Sequence, residues 1–146
     1  MGRRIGAGLA AAGLAAGAAL LLAGCSGGSG DGGPIAQVEK GLPSGWDEAQ
    51  FGPDAGDPVV GWVVEGESFA VVTWGSSSCP PIAKSLEAPS ASELRIVFAP
   101  PEGEVCTADF APTTHEFALP DGVTERPISV EMEFEQFDET VEGSLE

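Results

Sequence analysis

Five stretches of the chain carry hydrophobic patterns typical of β-strands. The runs PVVGWVV and FAVVTW are rich in valine and aromatic residues, and a turn cluster at residues 65–68 separates them, which predicts a hairpin. Both faces of these two runs are apolar, so we expect them to be central strands. Three later runs alternate apolar and polar residues, as strands with one buried face do: ELRIVFA, TTHEFALP and PISVEMEFE.

The alternation in these three runs predicts which side chains face the core. The predicted inward rows are Leu94, Ile96 and Phe98; His115, Phe117 and Leu119; and Ile128, Val130, Met132 and Phe134. The last run carries glutamates on its other face, at Glu131, Glu133 and Glu135. We expect this acidic row to protect an exposed sheet edge from pairing with another chain.

Short strands, Pro- and Gly-rich turns and the lack of a sustained helical period predict an all-β domain over residues 35–135. Its expected form is a small β-sandwich or partial barrel linked by a disulfide. A cysteine pair between strands is compatible with an immunoglobulin-like architecture. However, Trp74 precedes Cys79, so the antibody-type order of cysteine, tryptophan and cysteine is absent.

The two ends of this domain are predicted to be less regular. Glycine and proline recur at short intervals in residues 35–58, where Ser44 and Asp47 could cap a short helical turn through Gln50. We expect Trp46 and Phe51 to anchor this segment to the domain. Residues 136–146 are acidic and poor in apolar side chains, which predicts a frayed tail.

The first 24 residues have the features of an export signal. Arg3 and Arg4 precede an apolar run that ends in small residues directly before Cys25. Leu22 to Cys25, LAGC, resembles the bacterial lipobox, which implies that the Cys25 thiol carries a diacylglyceryl group and that Cys25 begins the mature chain. The alternative is an uncleaved transmembrane anchor, which the many glycines and alanines of the run disfavour. General and twin-arginine export both stay open.

These features predict a protein anchored by lipid to the extracytoplasmic face of the cell membrane. Residues 25–34 would be the lipidated cysteine and a flexible Gly/Ser linker, which keeps the domain close to the membrane. The formal net charge is −17, and cleavage would make it more negative because it removes Arg3 and Arg4 but no acidic residue. So acidic a chain repels phosphate backbones, so we expect no nucleic-acid partner.

Cys79 and Cys106 are expected to form a disulfide. Lipidation of Cys25 leaves only this pair of cysteines, and the predicted compartment is oxidising. Closing a loop of about 28 residues would stabilise the domain by about 3 to 4 kcal/mol. The single histidine, His115, and the absence of a Cys-x-x-Cys pair argue against a zinc site, and we expect no cofactor.

Two stretches around this cysteine pair are similar to segments of small secreted lipoproteins of high-GC, Gram-positive bacteria. They are Trp74 to Pro80, WGSSSCP, and Cys106 to Pro120, CTADFAPTTHEFALP. The resemblance is to an actinobacterial-type family without an assigned activity. It implies a lipoprotein and says nothing about a ligand.

The same two stretches contain the residue types of a hydrolase. Ser76, Ser77 or Ser78 could serve as nucleophile, His115 as base and Asp109 as the group that orients it. No serine lies in a Gly-x-Ser-x-Gly motif, and His115 shares its strand face with core residues. We therefore expect a half-buried structural histidine, serines that shape a turn, and no catalytic residue.

Carboxylate pairs raise the question of calcium. The close pairs are Asp54 and Asp57, Glu65 and Glu67, and Glu102 and Glu104. None lies in a loop with the regular oxygen spacing of a calcium site, so no metal ligand is assigned.

The leading functional hypothesis is a non-catalytic module that binds an envelope protein or a cell-wall component. The alternatives are the small hydrolase and a structural surface protein that associates with cations. Motifs and composition identify no ligand-binding residue.

Overall fold

The computed structural model describes residues 35–51, 56–103 and 105–146. The predicted signal peptide, Cys25 and the linker lie outside these residues. In the described part of the chain, no helix combines the length and hydropathy needed to cross a membrane.

The described residues form eight strands and one short 3-10 helix, Glu48–Gln50. The strands are β1 (Gln37–Lys40), β2 (Val59–Val64), β3 (Ser68–Gly75), β4 (Ile82–Ser90), β5 (Glu93–Ala99), β6 (Ala111–Ala118), β7 (Ile128–Phe134) and β8 (Glu139–Leu145). Sheet A has the order β1-β6-β3-β2 and sheet B the order β4-β5-β7-β8. Neighbouring strands are antiparallel except β5 and β7, which are parallel. The predicted all-β sandwich is confirmed.

The core lies between the two sheets and is built mainly from the predicted inward rows, of which Leu119 is only partly buried. The described core side chains from β5, β6 and β7 are almost wholly buried, and Phe69 and Val71 of β3 join them. Aromatic rings fill much of this space. Phe69 and Phe117 stack within sheet A with centroids 5.3 Å apart, and Phe98 meets Phe117 edge to face from sheet B. The period-two alternation therefore identified the buried faces of these strands correctly.

The prediction that both strands of the first hairpin are central is correct for β3 and wrong for β2. β2 is an edge strand of sheet A, and its apolar outer face is covered by the preceding segment. The Trp46 ring lies so close to Gly61 that an added Cβ would stand 2.7 Å from it, and Trp46 Nε1 donates to the Trp62 carbonyl at 3.3 Å. Phe51 packs against both Trp46 and Trp74, which fits the expected anchoring role.

The expected edge-protecting role of the β7 glutamates is wrong because β7 is a central strand. It pairs with β5 on one side and β8 on the other. Glu131 and Glu133 do face outward, as predicted, and both bind Arg95 of β5, at 2.9 Å and 3.1 Å. This acidic row thus has a partner within its own sheet.

The predicted frayed tail is also wrong: residues 139–145 form β8. Leu145 is only 1% exposed and belongs to the core. The Trp62 indole donates to the Glu146 carbonyl at 2.9 Å, so β2 and β8 meet where the two sheets come together at one side. Gly143 has no room for a side chain there because Val60 of β2 occupies the space.

Besides β8, two strands were not predicted from the sequence, β1 and β4. β1 is a four-residue edge strand with exposed side chains, and β4 is an irregular edge strand with register shifts. The predicted short helical turn through Gln50 is present as Glu48–Gln50, and Asp47, one of its two predicted caps, caps it, because its Oδ1 accepts from Ala49 N at 3.0 Å.

Candidate binding cleft at the disulfide end

Two connections between the sheets are joined at one end of the sandwich. Residues 76–81 carry the chain from sheet A to sheet B, and residues 100–110 carry it back. The predicted Cys79–Cys106 disulfide is confirmed and links these connections, with Cα atoms 5.5 Å apart. It therefore joins two loops, unlike the inter-sheet strand disulfide of antibody domains. We call this region, with the β7–β8 turn at residues 135–138, the disulfide end.

Hydroxyl groups hold the two connections together beside the disulfide. The Ser77 amide donates to Asp109 Oδ1 at 3.1 Å, and the Thr107 amide donates to Ser78 Oγ at 2.9 Å. Hydrogen bonds from Ser77 and Thr107 lower the pKa of the exposed Asp109 carboxyl to about 2. The serines therefore shape the loops, as expected from their position before Cys79.

His115 lies behind these loops in the core and is 0% exposed, so it is more deeply buried than predicted. Its Nε2 shares a hydrogen bond of 3.1 Å with Thr73 Oγ1, and its ring meets that of Phe98 edge to face at 5.1 Å. Burial lowers the pKa of the imidazole to about 4, so it is neutral at physiological pH. Its Nδ1 has no hydrogen-bond partner among the described residues.

The candidate hydrolase residues are only partly brought together. Ser77, Ser78 and Asp109 share the hydrogen-bonded loop network, in which Ser76 Oγ also lies 3.0 Å from Thr107 Oγ1. His115 belongs instead to the strand core, and within the described residues no hydrogen bond joins it to a serine or to Asp109. The side chain that would have to act as base is thus enclosed and bound to Thr73.

Metal ligands do not cluster in the described parts of the chain. No group of three or more histidine, cysteine, aspartate or glutamate side chains there could hold a metal ion. Asp54 and Glu104, two members of the carboxylate pairs considered above, lie outside the described residues.

A cleft of about 340 Å³ opens between the sheets at the disulfide end. Its apolar walls are formed by Phe98, Phe134, Phe137 and the Cys79–Cys106 disulfide. Phe98 and Phe134 stack with centroids 4.9 Å apart, which gives the cleft a fixed aromatic side. Thr73, the partner of His115, also lines the cleft, so His115 lies directly behind its lining. The volume is at the lower end of the range for ligand sites, roughly 300 to 1,000 Å³.

The chain matches no protein-family model, no curated protein and no solved structure. The resemblance to actinobacterial lipoproteins therefore stays a prediction, and the cleft must be interpreted from its own chemistry.

The described ionisable residues that line the cleft are all acidic. Asp57 and Glu139 belong to its lining, and no described lysine or arginine lines it. Lys84 is paired with Glu135 at the start of the β7–β8 turn, and Arg95 with Glu131 and Glu133 on the outer face of sheet B. Arg126 lies over the Trp62 ring at 4.2 Å. The cleft is therefore an apolar cavity with acidic groups and no internal counter-ion among the described residues.

Exposed apolar side chains are concentrated at the same end. Val105, Phe110 and Phe137 are 88%, 66% and 67% exposed and are the most exposed large hydrophobic residues among those described. Val105 adjoins Cys106, and Phe137 lines the cleft, whereas Phe110 lines a separate depression with Phe51 and Trp74. Single exposed apolar residues are ordinary on protein surfaces, but a group beside a cavity is typical of an interaction site.

Sequence reasoning did not find this cleft. Ser76 and the Cys79–Cys106 disulfide, both singled out in the sequence, do line it, but its other walls come from strands β3, β5, β7 and β8, the β7–β8 turn and the segment before β2. The exposed Phe137 within a supposedly frayed tail was the one signal that could have pointed to it.

Proposed function

We propose that this chain is an exported lipoprotein anchored through Cys25, and that its β-sandwich is a non-catalytic binding module with the cleft at the disulfide end as its binding site. The observation that carries the proposal is the cleft itself. It combines aromatic walls with exposed apolar residues at its side, and solvent exposure of such groups is explained by binding.

The path of the chain into the domain supports this arrangement. Gln37 begins β1 opposite Glu116, near the end of β6, whereas Lys40 ends β1 opposite Thr113, near the start of β6. The chain thus enters the sandwich at the end remote from the disulfide, which we call the tether end. A lipid on Cys25 would hold the tether end toward the membrane and leave the cleft accessible from outside.

The geometry favours binding over the two alternatives. The hydrolase requires His115 to receive a proton from a serine, but His115 is fully buried and shares its hydrogen bond with Thr73. The cation-associated protein has the required charge, but the described carboxylates form no group with the ligand number of a metal site.

Site-specific photo-cross-linking in intact cells tests the binding site. A photoreactive phenylalanine analogue is placed at Phe137 in the cleft or, as a matched control, at Val64, which is 48% exposed at the tether end. We expect irradiation to yield a discrete adduct from position 137 and none from position 64. Identical adducts from both positions, or no adduct from position 137, would overturn the assignment of the cleft as the binding site.

A further inference from the structure

We infer that the disulfide end docks a basic protein segment that inserts one aromatic or aliphatic side chain into the cleft. This inference rests on the proposed function and adds the chemical class of the partner. Three features of the described residues carry it: the size of the cleft, the apolar surface beside it and the sign of the charge around it.

The cleft is suited to one large apolar group. Phe98 and Phe134 form a stacked aromatic wall, and the exposed Phe137 also lines the cleft. Phe98 and Phe134 are already 1% and 7% exposed, so an aromatic or aliphatic side chain in the cleft would chiefly cover the exposed Phe137 and bury its own apolar surface. Burial of such anchors supplies most of the energy of many protein interfaces.

The apolar surface extends beyond the cleft, which favours a protein over a small molecule. Val105 is 88% exposed beside the disulfide, and Phe110 is 66% exposed in the same connection. Neither residue lines the cleft, so a small ligand inside it would leave both in water. A protein segment lying across the disulfide end can cover them while its anchor fills the cavity.

The charge identifies the partner as basic. Asp57 and Glu139 line the cleft, and neither makes an ion pair within the described residues. The whole chain carries 23 acidic residues against 6 lysines and arginines. A lysine or arginine beside the anchor would approach these carboxylates, and its cation could also lie over the Phe137 ring. An acidic segment would be repelled by the same surface.

Fluorescence anisotropy with labelled peptides tests the inference on the detergent-solubilised full-length lipoprotein. Three peptides of equal length are compared: lysines flanking one tryptophan, glutamates flanking one tryptophan, and lysines flanking one alanine. We expect the lysine-tryptophan peptide to bind at least about tenfold more tightly than either other peptide. Its affinity should fall as salt is raised, because surface charges are screened.

Variants assign the binding to the cleft. Phe137→Ala should weaken binding of the lysine-tryptophan peptide by about tenfold or more, while Val64→Ala at the tether end leaves it unchanged. The double variant Asp57→Asn, Glu139→Gln should weaken the lysine peptide but not the glutamate peptide. Equal thermal unfolding of these variants and the parent protein verifies that the fold is intact.

The other outcomes separate this inference from the proposed function. If both tryptophan peptides bind equally and both depend on Phe137, the cleft is a binding site but its preference for a basic partner is refuted. If tryptamine, a small aromatic amine, binds as tightly as the lysine-tryptophan peptide, a small ligand replaces the protein segment. Binding of lysine peptides regardless of the anchor and of Phe137 would show only non-specific attraction. No binding of any peptide would overturn the inference while the cross-linking result still decides the proposed function.

Discussion

Thr73 Oγ1 lies 3.1 Å from Nε2 of His115, and the two side chains share a buried hydrogen bond between strands β3 and β6. This contact places the only histidine of the chain in the core directly behind the cleft. Because its pKa is lowered to about 4 by burial, the imidazole is neutral when the protein is folded and takes up a proton more readily when it unfolds.

Stability should therefore decrease as the solution is acidified. The unfolded pKa is about 6.5, so the unfolded state binds the extra proton first, and the stability present above that pKa is lost as the pH falls toward 4. Between about pH 7 and pH 5 we expect the free energy of unfolding to drop by about 2 kcal/mol. Urea unfolding at the two pH values measures this change, and the lowered pKa of Asp109 acts only at more acidic pH.

The double variant Thr73→Val, His115→Leu is the control for this prediction. It replaces both members of the hydrogen bond by apolar groups, which is often close to neutral for stability. The pH-dependent loss should be absent in this variant. Direct titration of the single imidazole by NMR gives a second check, and a midpoint near 6.5 would refute the structural explanation.

Substitution of Gly143 by alanine should destabilise the contact between β2 and β8. An added Cβ would collide with Val60 Cγ1, and overpacking of this kind costs about 1 to 3 kcal/mol. Gly75→Ala is the matched control, because nothing lies within 4 Å of its added Cβ. Urea unfolding of Gly143→Ala, Val60→Ala and the double variant should show that the Val60 truncation relieves part of the cost. Strictly additive losses would mean that the two residues are not in conflict.

Leu145 should contribute strongly to stability although it lies in an acidic C-terminal stretch. The side chain is 1% exposed and packed in the core, so Leu145→Ala should cost about 2 to 4 kcal/mol through lost burial and a residual cavity. Thr140→Ala, at an exposed position of the same strand, should change the free energy of unfolding by less than about 0.5 kcal/mol. Equal and small effects of the two substitutions would indicate that β8 is not fixed in solution.

Loss of Cys25 should abolish lipid attachment. In a Cys25→Ser variant we expect no incorporation of radiolabelled palmitate and a shift of the protein from the detergent phase to the aqueous phase on Triton X-114 partitioning, because the lipid is the proposed anchor. Ser26→Ala preserves the cysteine and should behave like the parent chain. Retention of Cys25→Ser in the detergent phase would favour the uncleaved transmembrane anchor.

Strands with one buried face could be predicted because their side chains alternate without interruption. In β5, for example, the apolar residues Leu94, Ile96 and Phe98 alternate with other residues, and this spacing alone identifies the buried face. β8 has the same alternation of environment, but its inward row contains Gly143, where Val60 fills the space that a side chain would take. The burial of β8 therefore depends on Val60 of another strand and cannot be predicted from the sequence of β8 alone. The hairpin likewise showed that β2 is apolar on both faces, but not that Trp46 covers one of them.

The candidate site also has one part that the sequence predicts and one part that it does not. The pairing of Cys79 with Cys106 follows from counting cysteines, and the two loops that it joins also bring Ser77 to Asp109. The cleft depends on the sheet order, which brings Asp57 and Phe137 together although they are far apart in the chain. The proximity of these two residues can be seen only once the order of the strands is known.

The parallel pairing of β5 with β7 also determines when the chain can fold. Between these two strands the chain leaves sheet B, forms β6 in sheet A and returns. During synthesis from the N-terminus, the edge of β5 that pairs with β7 has no partner strand until residues 128–134 have emerged. Such non-local pairing slows folding and prolongs the exposure of apolar surface. Sheet B is complete only when β7 and β8, near the end of the chain, have been made, so an export route that carries unfolded chains would suit the lipoprotein that we propose.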